Sequence, residues 1–230
     1  MDRGVALKIV SWNCNCKFRE KHKELLKFAA DIYVIQECEN PAESNDDTYK
    51  KFASNYYWIG NNKNKGLGIF AKDNIELEIL EWKEYCLKYF LPVRINKQFN
   101  LLAVWACSPY IEEYYIYQNI NFNQFDSNMI IIGDFNSNKI WDKSHHNERN
   151  HTAVVNELKK LGLESAYHYI TNENQGKETQ PTFYLYRHAD KKYHIDHCFL
   201  NPNRIKQYTV MNKHEWLNYS DHMPIVLETN

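Results

Sequence analysis

LKIVSWNCNCKFREKHKELLKFAADIYVIQE, residues 7–37, is the stretch on which the fold turns. Residues 7–12 are an apolar, β-branched run fit for a buried strand. Residues 19–30 follow Phe18 with His22, Leu25, Leu26 and Ala29 at helical spacing and charged side chains between them, which predicts one amphipathic helix. Residues 32–35 are a second apolar run, so the opening reads β-α-β. Both strands run into polar side chains: Asn13 after the first, Glu37 after the second.

Outward from this unit the chain repeats the pattern. Strands are expected over residues 55–60 and 66–71, joined by an Asn/Lys/Gly turn, and over 75–82, 90–95 and 99–106. A tyrosine-rich helix is expected over 111–125, a strand over 128–132 and a helix over 149–161 before Gly162. Strands over 182–186, 193–200, 205–211 and 224–228 complete the reading. Connections are short, and no internal repeat or low-complexity linker interrupts them. Part β-α-β and part hairpin, this order implies two sheets faced by helices in one domain, residues 1–230.

Composition narrows the function. With 28 basic and 29 acidic residues the net charge is −1. Proteins that hold duplex DNA tightly without sequence preference carry a basic excess, and this one does not. An enzyme that touches nucleic acid through a bound metal stays open. The aromatic share of 15%, with 17 Tyr and 6 Trp, can build a core or line a groove for sugars or bases. No apolar run reaches the roughly 18 residues of a membrane span, so no membrane partner is expected. Met1-Asp2-Arg3-Gly4 lacks the apolar stretch of a secretion signal. Six irregularly spaced cysteines then read as reduced thiols in a cytoplasmic monomer. Cys14 and Cys16 have no second close pair to complete a zinc ribbon.

Polar residues gather where strands end. Asn13 and Glu37 are joined by Asp134-Phe135-Asn136 after MIIIG, by Asp196 after Tyr193-His194-Ile195, and by Ser220-Asp221-His222 before the closing strand. Sheet proteins pool such residues into one site. Glu37, Asp134 and Asp221 could offer carboxylates to Mg²⁺, a hard cation that takes oxygen ligands, with Asn13 and Asn136 as neutral oxygens or N–H donors. His222 could deprotonate water near neutral pH, held by Asp196 through one ring nitrogen. Alternation puts His194, Asp196 and Cys198 on one strand face, opposite Ile195, His197 and Phe199. Any one of these residues more often caps a turn than catalyses; the ordered set is the signal.

That set resembles the endonuclease/exonuclease/phosphatase superfamily, which includes DNase I-like nucleases, exonuclease III-like repair enzymes, sphingomyelinases and inositol-polyphosphate phosphatases. The matching segments are Ser11-Trp12-Asn13, Ile35-Gln36-Glu37, Gly133-Asp134-Phe135-Asn136, His194-Ile195-Asp196-His197 and Ser220-Asp221-His222, in family order. Gly66-Leu67-Gly68-Ile69 and Pro181-Thr182-Phe183 also look like family segments. The resemblance implies a four-layered α/β sandwich, two mixed β-sheets packed face to face with helices outside. It implies Mg²⁺, or Mn²⁺ in its place, on Glu37 with Asn13 and Asp221 near. Asp134 and Asn136 would orient or deprotonate the attacking water, and His222 with Asp196 would act on the phosphoryl oxygen. The proton could go to Asp134 or His222; Asp134 is the favoured base.

Two departures bear on substrate. Relatives often place a His or Tyr on phosphate after the strand matching 101–106, where this chain has Cys107-Ser108-Pro109-Tyr110, so Cys107 loses the contact or Ser108 or Tyr110 supplies it. Exonuclease III-like enzymes follow the glutamate with Thr-Lys, whereas Glu37 precedes Cys38-Glu39, whose acid should repel a DNA phosphate. Thr182, Phe183 and His194 join the substrate-contact candidates. Phe183, Tyr184 and Tyr186 could stack on a base or be packing. Lys63 and Lys65 could touch phosphate, though such loops are more often solvated turns. His145, His146 and His151 read as a loop entering a helix. The chain is accordingly expected to be a Mg²⁺-dependent phosphodiesterase on DNA or RNA. The alternatives are a hydrolase of a small phosphoester (inositol phosphate, nucleotide or lipid headgroup) and a silent binding module of the same fold. A phosphate-release screen separates the first alternative, and metal titration without turnover the second.

Overall fold

A computed structural model describes residues 6–230; Met1–Gly4, weighed above as a leader, lie outside them. The opening unit is β1 (Lys8–Asn13), α1 (Phe18–Leu25) and β2 (Ile32–Cys38). The helix stops short of residue 30 because Leu26–Phe28 tighten into a 3-10 turn and Ala29 takes left-handed backbone, bending the chain into β2. Then come α2 (Asp47–Phe52), β3 (Tyr56–Asn62), β4 (Lys65–Ala71), β5 (Leu77–Ile79), β6 (Phe90–Ile95), β7 (Phe99–Trp105), α3 (Ile111–Ile120) and β8 (Ile130–Asp134). The second half holds α4 (His151–Lys160), β9 (Glu164–Ser165), α5 (Ala166–Thr171), β10 (Phe183–Tyr184), β11 (Lys192–Tyr193), β12 (Asp196–Leu200), β13 (Ile205–Val210), α6 (Lys213–Trp216) and β14 (Ile225–Thr229).

Two six-stranded sheets result, in the orders β13-β14-β1-β2-β4-β3 and β5-β6-β7-β8-β12-β9. Both are mixed: β1 and β2 run parallel in the first, β7 and β8 in the second, and their outer neighbours are antiparallel. Alternation along the strands sorts the side chains into layers. Ile9, Ile32, Val34 and Ile69 from one sheet and Val93, Leu101, Ile130 and Ile132 from the other share the buried core between the sheets. Val10, Trp12, Tyr33 and Ile35 point the other way, against Phe18 and Leu25 of α1, Tyr49 of α2 and Trp216 of α6. Leu102, Val104 and Ile131 do the same beneath Tyr114 and Tyr117 of α3 and Val154 and Leu158 of α4. This is the expected α/β sandwich.

Several expected elements come out shorter, for identifiable reasons. The strand over 182–186 ends at Tyr184, because Tyr186 and Arg187 adopt left-handed backbone. The strand over 193–200 breaks at His194 and Ile195, where the N–H groups of Ile195 and Asp196 donate to the Thr182 hydroxyl rather than to a strand, at 3.0 Å each. The helix over 111–125 ends at Ile120, with Asn121 turned aside to bond both backbone groups of Lys83. The six-residue α2 escapes a periodicity reading because it buries Tyr49 alone, although Asp46 caps it at Thr48 and Tyr49. No helix among the described residues is long and apolar enough to cross a membrane.

Candidate active site

The two sheets bring the polar strand ends to one edge of the sandwich. Asn13 ends β1 and Asp134 ends β8, while Asp196 opens the antiparallel β12 directly across from Asp134. His222 lies in the turn that leads into β14, next to β1. Gly133 is required for this approach: its φ is +151°, and a Cβ there would fall 1.9 Å from the Val104 carbonyl oxygen. Asn136 takes left-handed backbone, φ +46°, which bends the chain so that its amide meets Asp134.

Glu37 is delivered by a strained bulge. The β2–β4 register shifts between Gln36 and Cys38, and Glu37, φ +62°, is the extra residue. Its neighbours are fully buried while its own side chain is 18% exposed, so the bulge turns one carboxylate out of a buried strand.

A continuous network joins these groups. Asn13 Nδ2 donates to Asp134 Oδ2 at 3.0 Å and to Glu37 Oε1 at 3.4 Å. Asn136 donates to Asp134 twice, from its backbone at 2.9 Å and from Nδ2 at 3.0 Å. His222 Nδ1 lies 2.9 and 3.2 Å from the Asp196 carboxylate oxygens, which aims Nε2 at Asp134 Oδ2, 3.9 Å away. Ser220 accepts from the His222 N–H and donates to the Asn13 carbonyl at 2.7 Å. Trp12 Nε1 donates to the His222 carbonyl at 2.9 Å, so the β1 backbone and the histidine turn are tied together.

The electrostatics follow from burial. Asp134 is fully buried, and desolvation pushes its carboxyl well above the usual range despite the opposing pull of His222. Burial alone would lower the His222 imidazolium, but Asp196 and then Asp134 hold its proton and raise its pKa. Both shifts come from the same buried charges, so the protonation of Asp134 and that of His222 depend on each other.

The carboxylates of Glu37, Asp134, Asp196 and Asp221 meet only two cationic side chains in these contacts, His222 and Lys65. That deficit of positive charge, on hard oxygen donors, fits a divalent cation. Asp134, Asp196 and His222 also bring one potential ligand atom each within 4.8 Å of one another. Both Asp196 oxygens face His222 Nδ1, however, which leaves the more exposed Glu37 the freer carboxylate for a metal.

The sequence candidates are not all placed alike. Asn13 donates its N–H groups to carboxylates and accepts the Asn15 N–H on its oxygen at 3.0 Å, so its amide positions the carboxylates around it. Asp221 joins through Asn15, whose Nδ2 donates to Asp221 Oδ1 at 2.9 Å. The Thr182 hydroxyl is fully buried and committed to the Ile195 and Asp196 N–H groups, so it positions Asp196 rather than touching substrate. His194 is likewise turned inward, with Nδ1 2.7 Å from the Gln180 carbonyl and its ring 4.3 Å from that of Tyr167; at 3% exposure it has no face for substrate. The half-buried Phe183 does reach the site, its ring centroid 4.6 Å from that of His222. Half-buried Cys107 lies within the field of Glu113, Asp134 and Glu37, and burial followed by these charges pushes its thiol up to about 12, leaving it neutral. Ser108 and Tyr110 are exposed beside it. Asn15, Ser220 and Lys65 complete the network; no strand-end motif singled out Asn15, and Lys65 read more readily as part of a solvated turn.

A model of the Endonuclease/Exonuclease/phosphatase family matches residues 10–222. The chain belongs to that family. Its members are phosphoester hydrolases, and so is this chain. No curated protein matches it in sequence. Among solved structures, the 3′ phosphatase NExo from Neisseria, bound to a product DNA hairpin, is 17% identical, with a TM-score of 0.70 over 97% of this chain and 99% of that one. An AP endonuclease from Archaeoglobus fulgidus is 18% identical, with a TM-score of 0.70 over 96% and 98%. A humanized TDP2 from D. rerio is 17% identical, with a TM-score of 0.63 over 98% and 99%. At these identities the likeness is one of fold. Endonuclease/Exonuclease/phosphatase enzymes are metal-dependent, in keeping with the unbalanced carboxylates here.

Proposed function

We propose that the chain is a Mg²⁺-dependent phosphodiesterase that cleaves DNA or RNA. The observation that carries the polymer over a small phosphoester is a run of half-buried aromatic rings leading away from His222. Phe183 lies 4.6 Å from His222, Tyr193 6.4 Å from Phe183, and Trp141 5.0 Å from Tyr193. A wall of this length suits successive bases or sugars of a strand better than one compact headgroup. The neighbours of similar fold include an AP endonuclease and a phosphatase seen with a DNA hairpin, which supports the same reading. Six free cysteines support a cytoplasmic location.

In this reading Asp134, steadied by Asn13 and Asn136, takes the proton of the attacking water. His222, kept protonated by Asp196, faces the phosphoryl oxygen with Nε2 and stabilises the charge that builds there. Glu37 would hold a divalent cation, which would supply the remaining positive charge needed at the phosphoryl group. The test is incubation of folded protein with labelled single-stranded DNA, duplex DNA and RNA, with Mg²⁺ or with chelator. Metal-dependent cleavage of at least one polymer is expected. If none is cleaved while a small phosphoester releases phosphate, the polymer reading fails.

A further inference from the structure

Lys65 opens β4, and its ammonium lies 3.0 Å from Glu37 Oε2 and 5.3 Å from the centroid of the buried Trp105 ring. Its backbone is fixed. The Trp58 ring lies across Gly60 and Gly66, where a Cβ would meet it at 2.2 and 2.4 Å, and Trp58 Nε1 donates to the Cys38 carbonyl at 3.2 Å. Gly66 pairs with Cys38 across β2 and β4, which sets Lys65 beside the Glu37 bulge. The two Glu37 oxygens face different ways: Oε1 faces Asn13, while Oε2 faces Lys65 and, at 3.6 Å, the Cys16 thiol. An ammonium on Oε2 takes one of the two oxygens a metal ion would use. Lysine is a point charge on a flexible stem, here 42% exposed, so it can leave the carboxylate without moving the strand. Once displaced, it remains a cation at the mouth of a site that must receive a phosphate.

We propose that Lys65 is a metal-displaced phosphate-binding residue: it neutralises Glu37 until a divalent cation takes that carboxylate, then turns to a phosphate of the substrate strand. This rests on the reading of Glu37 as metal ligand and of a nucleic-acid strand as substrate. It makes metal binding and phosphate binding successive uses of one charge, and it sets a ceiling on metal affinity in the empty enzyme.

The test compares the wild type with Lys65→Met, Lys65→Arg, Glu37→Gln and the Lys65→Met/Glu37→Gln double variant, each checked for thermal unfolding. Mn²⁺ binding is titrated without substrate, and binding of a fluorescent single-stranded oligonucleotide is read by anisotropy in Ca²⁺. Lys65→Met should bind Mn²⁺ about tenfold more tightly, the scale on which groups contacting a metal ligand act. The gain should vanish when Glu37 is also Gln. The same Lys65→Met protein should bind the oligonucleotide about tenfold more weakly, with a salt slope lower by about one phosphate contact. Lys65→Arg should stay near wild type in both. Unchanged or weaker Mn²⁺ binding by Lys65→Met overturns the proposal, as does oligonucleotide binding equal to that of the wild type. A wild type that binds no oligonucleotide defeats the nucleic-acid reading and the phosphate half of the proposal with it, and the Mn²⁺ arm still decides whether Lys65 competes for Glu37.

Discussion

Glu37 carries both chemistry and strain. A non-glycine residue at φ +62° is held there by the strand pairing on either side of the bulge. Glu37→Gly should therefore raise stability by about 1 kcal/mol while removing metal-dependent turnover. Thermal unfolding and an activity assay on one preparation check this; a fall in melting temperature contradicts the strain argument. Asp134 and His222 are both buried, with His222 Nε2 3.9 Å from Asp134 Oδ2. Asp134→Ala and His222→Ala should each lower kcat at least about 10²-fold, the scale of one acid–base group. Near-wild-type turnover by His222→Ala would remove that histidine from the chemistry.

Strands and their partners set the precision of the site. The close approach of β7 and β8 tolerates no side chain at Gly133, so Gly133→Ala must push Val104 and its strand away. A destabilisation above about 3 kcal/mol is expected, measurable by urea unfolding, since the obstruction is backbone and cannot rotate aside. The segment after α5 is held differently. Burial would raise the Glu178 carboxyl, but His168 Nε2 at 2.9 Å and the Gly176 N–H at 2.8 Å hold it down to about 2. A carboxyl lowered on folding stabilises the protein above its unfolded value of 4.5, and that stability drains away as pH falls towards 2. Glu178→Gln should thus cost on the order of 2 kcal/mol at pH 7 and flatten the acid limb between about pH 5 and pH 2. Circular dichroism during acid titration reads both effects, and parallel acid limbs in the two proteins would refute the assignment.

At the scale of the molecule, the last strand is not a trailing end. β14 lies between β13 and β1, pairing Lys8 with Glu228 and Ile205 with Thr229, and Ile225 and Leu227 belong to the core between the sheets. Removing residues 225–230 leaves β1 with a bare edge, and β1 carries Asn13. The truncated chain should fail to fold cooperatively, shown by loss of a thermal transition and rapid proteolysis; a resistant, cooperatively melting product would show that β13 can re-pair with β1.

The alternation of apolar residues determined the two sheets and their covering helices, because burial on a strand or helix face is written in local periodicity. The strand-end residues Asn13, Glu37, Asp134, Asn136, Asp196, Asp221 and His222 were legible for the same reason: each stands where an apolar run stops or is about to begin. Tertiary structure alone decided how they are used. The bulge that turns Glu37 outward depends on β4 pairing with β2, and the Thr182 hydroxyl is spent on Asp196 because a loop crosses a broken strand. His194 packs inward against a helix, and Lys65 meets Glu37 through the register of a hairpin. Hydrogen bonds between residues as far apart as Asn13 and Ser220 depend on the closure of the whole sandwich, and no window of sequence contains that distance.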